Sequence, residues 1–291
     1  LPTSSEDAQG SKGKSTSISY QTAKGELFID GVSEDDIVQG QALTCYLLSA
    51  LGSIAKTQSA FITNNFIAND NGTYGVRLFV EGRPIYTTVN LSLPVQKNGK
   101  LLYAGDDEKR TLDGELWISL LEKAYAQFNA QVDTREFSGQ EVGLVQLHDA
   151  IDASTPLLNW IQENSYTAIG RSFAQAIKQF TNLNYRYYSS YLKDAGFNDD
   201  NDAGVLYSPD PQTYKQTLID ALNGGAIGWL ASYGSTTSSK NYKFNFLPGH
   251  AFMLLGYDST KDEFIIRNPW GGAAQVTPYN TEFNAPIEAF W

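Results

Sequence analysis

Cys45 is the only cysteine among 291 residues, and it lies far in sequence from His250 and Asn268. Together these three types could form a nucleophile, a base and the group that orients the base. A thiol attacks as thiolate, so its pKa must fall below the free value of about 8.5. In QGQALTCYLLSALGSIAK (39–56), Cys45 stands where an apolar helical repeat begins, and the amides of a helix start carry partial positive charge. The segment HAFMLLGYDSTKDEFIIRN reads as two strands around the turn Asp258-Ser259-Thr260. A hairpin centred on Ser259 sets His250 directly opposite Asn268. Cross-strand Cβ atoms are then about 4.5–5.5 Å apart, close enough for an amide oxygen to hold an imidazole N–H. Gln39, just ahead of the helix, could join the Cys45 backbone N–H as donor to a developing oxyanion. Trp270, two residues after Asn268, could shield the His–Asn hydrogen bond from water.

Each feature has a plainer reading. A lone buried cysteine is most often a small hydrophobe; the preceding Gln-Gly, the helix start and the distant His–Asn pair favour the nucleophile here. His148, in VQLHDAIDA beside Asp149 and Asp152, reads as a solvated or structural histidine. In NDDNDAG (198–204) the residues Asn198, Asp200 and Asp202 alternate as in a calcium loop, but the glycine, Gly204, falls one place late. That string reads as an acidic turn, with Asp200 and Asp202 as the metal candidates the sequence offers. GDDEKR (105–110) reads as an exposed turn, and the Gly-rich pieces NGGAIG and WGGAA lack any phosphate-loop context. No cofactor is predicted.

The elements that must position these residues follow from periodicity. A helix is expected from Cys45 to about Lys56, with Leu47, Ala50, Leu51 and Ile54 at helical spacing. Strands follow at Gly75–Val80 and Ile85–Val95, joined by Glu81-Gly82-Arg83-Pro84. ELWISLLEKAYAQF is a helix with Trp117, Leu120, Leu121, Ala124 and Phe128 on one apolar face. Residues 131–163 look like an insertion with a helix starting at Thr155-Pro156, and another helix runs from about Pro211 to Leu222. AIGWLASYG, HAFMLLGY and EFIIRNPWG read as strands, so the fold class is α+β with two lobes. The expected division is a polar lead-in or linker at 1–20, a Cys-bearing lobe at 21–183 and a His/Asn-bearing lobe at 184–291.

Composition sets limits on partners. Scarce Lys and Arg leave a net charge of −11 without a basic run, which argues against nucleic acid or an anionic membrane surface. One cysteine excludes an internal disulfide framework and a zinc site built on several thiolates. No apolar run approaches the roughly 18 residues of a membrane span. The lead-in has no apolar core of a signal peptide, and localisation is otherwise left open.

The motifs together resemble the calpain family. QGQALTCYLLSAL is similar to its active-site stretch, LWISLLEKAYAQ to the helix of its Cys-bearing lobe, and NSYTAIGRSFAQAIKQFT to the segment closing that lobe. LPGHAFMLLGY and FIIRNPWG are similar to the strands bearing its catalytic His and Asn. The resemblance covers about Gly31 to Gly272. It implies a two-lobed, papain-like cysteine endopeptidase acting on polypeptides. Cys45 would be nucleophile, His250 base, Asn268 orienter, Gln39 oxyanion donor and Trp270 the shielding indole, with Tyr46 and Gly249 along the substrate cleft. Tyr46 stands where the family usually has Trp. The family's acidic loop before its Leu-Pro reads here Val89-Asn90-Leu91-Ser92-Leu93-Pro94, without the carboxylates that Ca²⁺ favours. Calcium is therefore not carried over as a requirement, and the expected enzyme is calcium-independent or weakly calcium-dependent. A propeptide or flanking domains of a longer chain are compatible partners. Two other readings stay open: an acyltransferase or transglutaminase working through the same thioester, and a catalytically silent protein-binding module.

Overall fold

The computed structural model describes residues 19–42, 44–80, 82–106, 109–133, 176–183, 187–188, 205–206, 210–232, 246–247, 249–272 and 281–289. Helix α1 (Cys45–Gln58) starts at the cysteine and is followed by the single turn α2 (Ala60–Thr63). Leu47, Leu48, Leu51 and Ile54 are completely buried, so α1 is a central helix that is apolar nearly all round. Helix α3 (Trp117–Asp133) buries Trp117, Leu120, Leu121, Ala124 and Phe128 on one face, the stripe expected from its spacing.

Strand β1 (Ser19–Thr22) pairs antiparallel with β5 (Ser92–Val95). The polar lead-in expected over 1–20 therefore gives way to a strand already at Ser19. Strands β2 (Phe66–Ala68), β3 (Tyr74–Val80) and β4 (Arg83–Val89) form a separate antiparallel sheet in that order. Val76, Leu78 and Val80 alternate into the core, as a half-buried strand requires. The single strand expected over Ile85–Val95 is two, because the chain leaves one sheet at Asn90 and joins the other at Ser92. At that break the Lys123 ammonium from α3 donates to Asn90 O (2.8 Å), Asn90 Oδ1 (2.7 Å) and Ser92 O (2.7 Å).

Strands β6 (Tyr187–Tyr188) and β7 (Val205–Leu206) make a short parallel pair. Helix α4 (Pro211–Asn223) starts at an Asp210 cap whose carboxylate accepts from the Gln212 and Thr213 amides, with Pro211 at the first helical position. The last sheet is antiparallel in the order β11-β10-β9-β8, formed by β8 (Gly228–Ala231), β9 (Ala251–Asp258), β10 (Glu263–Arg267) and β11 (Glu282–Ala285).

Among the described residues two hydrophobic cores result. The first gathers α1, α3, β3 and β4; the second gathers Tyr214 and Leu218 of α4 with Phe252, Phe264, Ile266 and Phe283. Strand β9 belongs to both, since Ala251 and Met253 enter the first while Phe252 and Leu254 enter the second. Its two-residue alternation thus makes one strand the wall between the cores.

In the stretch 105–110, expected as an exposed turn, Lys109 is exposed but the first two residues are not. Gly105 is buried and bridges to Val38 in both directions, and Asp106 Oδ2 accepts the Glu115 amide at 2.6 Å. Of the proposed insertion at 131–163 only the end of α3, to Asp133, is described. His148, the Thr155-Pro156 helix start, Asp200 and Asp202 lie outside the described residues. Among the described residues no helix is long and apolar enough to cross a membrane.

Candidate active site

Helix α1 packs against β9, and this brings the Cys45 sulfur to the amide of Ala251, the residue after His250. The backbone amides of Ala251, Tyr46 and Cys45 itself favour the thiolate form of the Cys45 sulfur. His250 enters β9 from Gly249, whose φ of +63° is a left-handed conformation that favours glycine. The backbone of His250 is clamped by Ser232, one residue beyond β8. Ser232 N–H donates to His250 O at 2.9 Å, and His250 N–H donates to Ser232 Oγ at 3.1 Å. Nothing in the local sequence marked Ser232, because its role depends on the β8–β9 register.

Asn268 follows the last residue of β10. Its backbone N–H donates to Thr281 O at 2.7 Å, and its Oδ1 accepts from the Trp270 amide at 3.1 Å and from His250 Nε2 at 2.9 Å. An amide oxygen only accepts, so Nε2 carries the proton and Nδ1 keeps the lone pair of a base. Before Asn268, Arg267 pairs with Asp35 at 2.8 Å and lies 3.9 Å from Glu282.

The hydrogen bond expected from the hairpin is present, but by a different register. The turn occupies 259–262, and β9 and β10 meet as Glu263 with Asp258 and Phe264 with Tyr257. An irregularity between Ile265 and Ile266 then shifts the pairing to Arg267 with Met253. Continuing that register sets Asn268 level with Phe252. His250 therefore reaches Asn268 diagonally along one face, a span that long side chains bridge.

Gln39 N–H donates to Pro269 O at 2.8 Å, which ties its segment to the Asn268–Trp270 turn. Its side-chain Nε2 donates to Ala42 O at 2.6 Å. The Trp270 ring lies 5.2 Å from the His250 ring, inclined at 62°. Tyr46 is not a cleft wall. It is 2% exposed and meets Tyr125 edge-on, because it projects from α1 toward α3.

Burial governs the titration of the pair. It pushes the Cys45 thiol up to about 11, against the lowering effect of the Ala251 amide. It pulls His250 down to about 4, against the opposing hydrogen bond to Asn268. With these values thiol and imidazole are both neutral near pH 7, and burial is the larger cause of each shift.

A second polar group was not visible in the sequence. Ligand oxygens of Asp30, Asp36 and Glu115 lie within 4.8 Å of one another. Burial, then the neighbouring acids, raises Glu115 to about 7, and burial raises Asp36 as well. Hard oxygens crowded so that their charges repel suit a cation such as Ca²⁺. No local motif reports this group, because Glu115 is brought to the two aspartates only by the fold.

A family model described as calpain family cysteine protease matches residues 14–285. The calpain-type cysteine protease DEK1 of Zea mays is 30% identical over 171 residues, which are 56% of this chain and 7% of that protein. The calpain-2 catalytic subunit of Rattus norvegicus is 30% identical over 267 residues, 88% of this chain and 30% of its own length. The calpain-2 catalytic subunit of Homo sapiens is 23% identical over 258 residues, 84% of this chain and 29% of its own length. The chain thus spans less than a third of the length of these relatives.

Proposed function

The chain belongs to the calpain family of cysteine proteases, and on that premise we propose that it is an endopeptidase that cleaves polypeptides through a thioester on Cys45. The observation that carries this reading is the 2.9 Å hydrogen bond from His250 Nε2 to Asn268 Oδ1, on the strand whose Ala251 amide meets the Cys45 sulfur. The two cores divided by β9 support a papain-like pair of lobes.

In the first step the Cys45 proton passes to His250 Nδ1 while sulfur attacks the scissile carbonyl carbon. The carbonyl π electrons move to oxygen, where the Cys45 N–H and the second hydrogen of Gln39 Nε2 stabilise them. His250 then gives its proton to the leaving nitrogen as the C–N bond breaks and the thioester forms. Water, deprotonated by the same imidazole, releases the acid and restores the thiol. Asn268 keeps the base in one tautomer throughout, and the Trp270 indole limits water around their hydrogen bond.

No step requires a metal. Asp30, Asp36 and Glu115 would hold a Ca²⁺ ion, which would neutralise their mutual repulsion. We read the enzyme as calcium-independent or weakly calcium-dependent, since the loop at Asn90–Ser92 already receives a cation of its own in Lys123. Activity in EDTA compared with added Ca²⁺ tests that part. For the reaction itself, casein incubated under reducing conditions with a primary amine should yield fragments. Incorporation of the amine without fragments would point to acyl transfer instead.

A further inference from the structure

We propose that Glu122 is a positioning residue that holds the oxyanion donors in place through Thr44 and Ala104, an inference that rests on the hydrolytic reading of Cys45. Glu122 projects from α3 into the interior, 7% exposed, and takes no part in the proton transfers. Its Oε1 accepts from Thr44 Oγ1 at 2.5 Å, and its Oε2 accepts from the Ala104 amide at 2.9 Å. Thr44 is the N-cap of α1, immediately before the nucleophile, and its own side chain makes no capping bond to the helix. A carboxylate buried at this depth is costly unless its oxygens are satisfied, and here one is met by the hydroxyl of the residue before the nucleophile and the other by a backbone amide.

The described residues between Val38 and Thr44 are held at Pro269 through the Gln39 amide and along the chain at 102–105. Val38 N–H donates to Gly105 O at 3.0 Å, and Gln41 N–H donates to Leu102 O at 2.9 Å. At Gly40 the two backbones approach so closely that a Cβ would lie 2.3 Å from the Tyr103 carbonyl. Helix α3 grips that partner chain at Ala104 by both polar groups, since Ser119 Oγ donates to Ala104 O at 2.8 Å. Glu122 therefore links the two sides. With one oxygen it holds the chain on which Gln39 is braced, and with the other it holds the residue whose carbonyl begins the Cys45 helix. Burial raises the pKa of Glu122, opposed by the bonds from Thr44 and Ala104 and then by the Arg110 guanidinium. Release of Thr44 should let the Cys45 N–H and the Gln39 amide drift apart, while leaving the thiol itself in place.

The test is kinetic. Thr44→Val, Thr44→Ser and Glu122→Gln are compared with wild type in peptide hydrolysis and in alkylation of Cys45 by iodoacetamide, which forms no oxyanion. Thr44→Val should lower kcat by about tenfold to a hundredfold, with KM and the alkylation rate within about twofold of wild type. Thr44→Ser, which keeps the hydroxyl, should recover most of the loss. Glu122→Gln should fall between, because Gln can accept from Ala104 and donate to Thr44. An unchanged kcat in Thr44→Val, or a loss matched by equal loss of alkylation, overturns the positioning role and leaves the hydrolytic reading intact. Wild type without Cys45-dependent turnover overturns both.

Discussion

Asn268 Oδ1 accepts two hydrogen bonds, from His250 Nε2 at 2.9 Å and from the Trp270 amide at 3.1 Å. The second bond fixes the amide's orientation and so fixes which imidazole nitrogen is protonated. His250→Ala removes the proposed base, and kcat should fall by about 10²–10⁴-fold. Asn268→Ala leaves the base but frees its ring, so the loss should be smaller and fall on kcat rather than KM. Steady-state kinetics on folded variants decides this. An Asn268→Ala enzyme with wild-type kcat would remove Asn268 from the mechanism.

The neutral pair has a pH signature. Burial holds the Cys45 thiol up near 11 and His250 down near 4. Alkylation by a neutral reagent in the absence of substrate should therefore still be rising with pH above 7. A rate already on its plateau at pH 6 would mean a standing thiolate–imidazolium pair. Stability carries the same information. The folded pKa of His250 lies below its ordinary 6.5, so its contribution is full above that value and is lost as pH falls toward 4. His250→Phe should flatten the acid limb of the stability curve, measured by chemical denaturation between those limits.

These two residues also mark how far the sequence could be read. Helix α1 from Cys45 and helix α3 from Trp117 were legible, because long apolar repeats have one period and a filled face. The His–Asn partnership was legible too, but its register was not. A four-residue turn and an irregularity near Ile265 change the pairing, and neither has a strong local signal. Ser232, Glu122 and the Asp30–Asp36–Glu115 group were illegible for a common reason. Each acts through a contact between segments distant in sequence, and each residue alone reads as an ordinary polar position. Tyr46 was misread because its neighbours set its helix, while only the packing of α1 on α3 sets which way it faces.

The carboxylate group makes a calcium prediction separable from turnover. The folded pKa of Glu115, about 7, lies above its ordinary 4.5. Its contribution to stability is therefore full below 4.5 and lost as pH rises through 7. A bound divalent cation reverses that loss, so added Ca²⁺ should raise the melting temperature more at pH 8 than at pH 5. Glu115→Gln should abolish most of the pH-dependent increment. A melting temperature indifferent to Ca²⁺ at both pH values would exclude the group as a calcium site.

Lys123 offers a test of the β4–β5 break. Lys123→Met keeps most of the stem but leaves Asn90 O, Asn90 Oδ1 and Ser92 O without the ammonium. The loss of these charge-assisted bonds should cost about 1.5–3 kcal/mol, measured by urea denaturation. Amide exchange in β1 and β5 should rise before exchange in α1. A variant as stable as wild type, with unchanged exchange, would show that the loop holds itself.

The most direct test of the account is casein cleavage under reducing conditions by wild type and by Cys45→Ala, prepared in parallel and shown to be equally folded. The account predicts fragments from wild type and none above background from Cys45→Ala, with EDTA leaving most of the wild-type activity. Equal cleavage by the two proteins would contradict it.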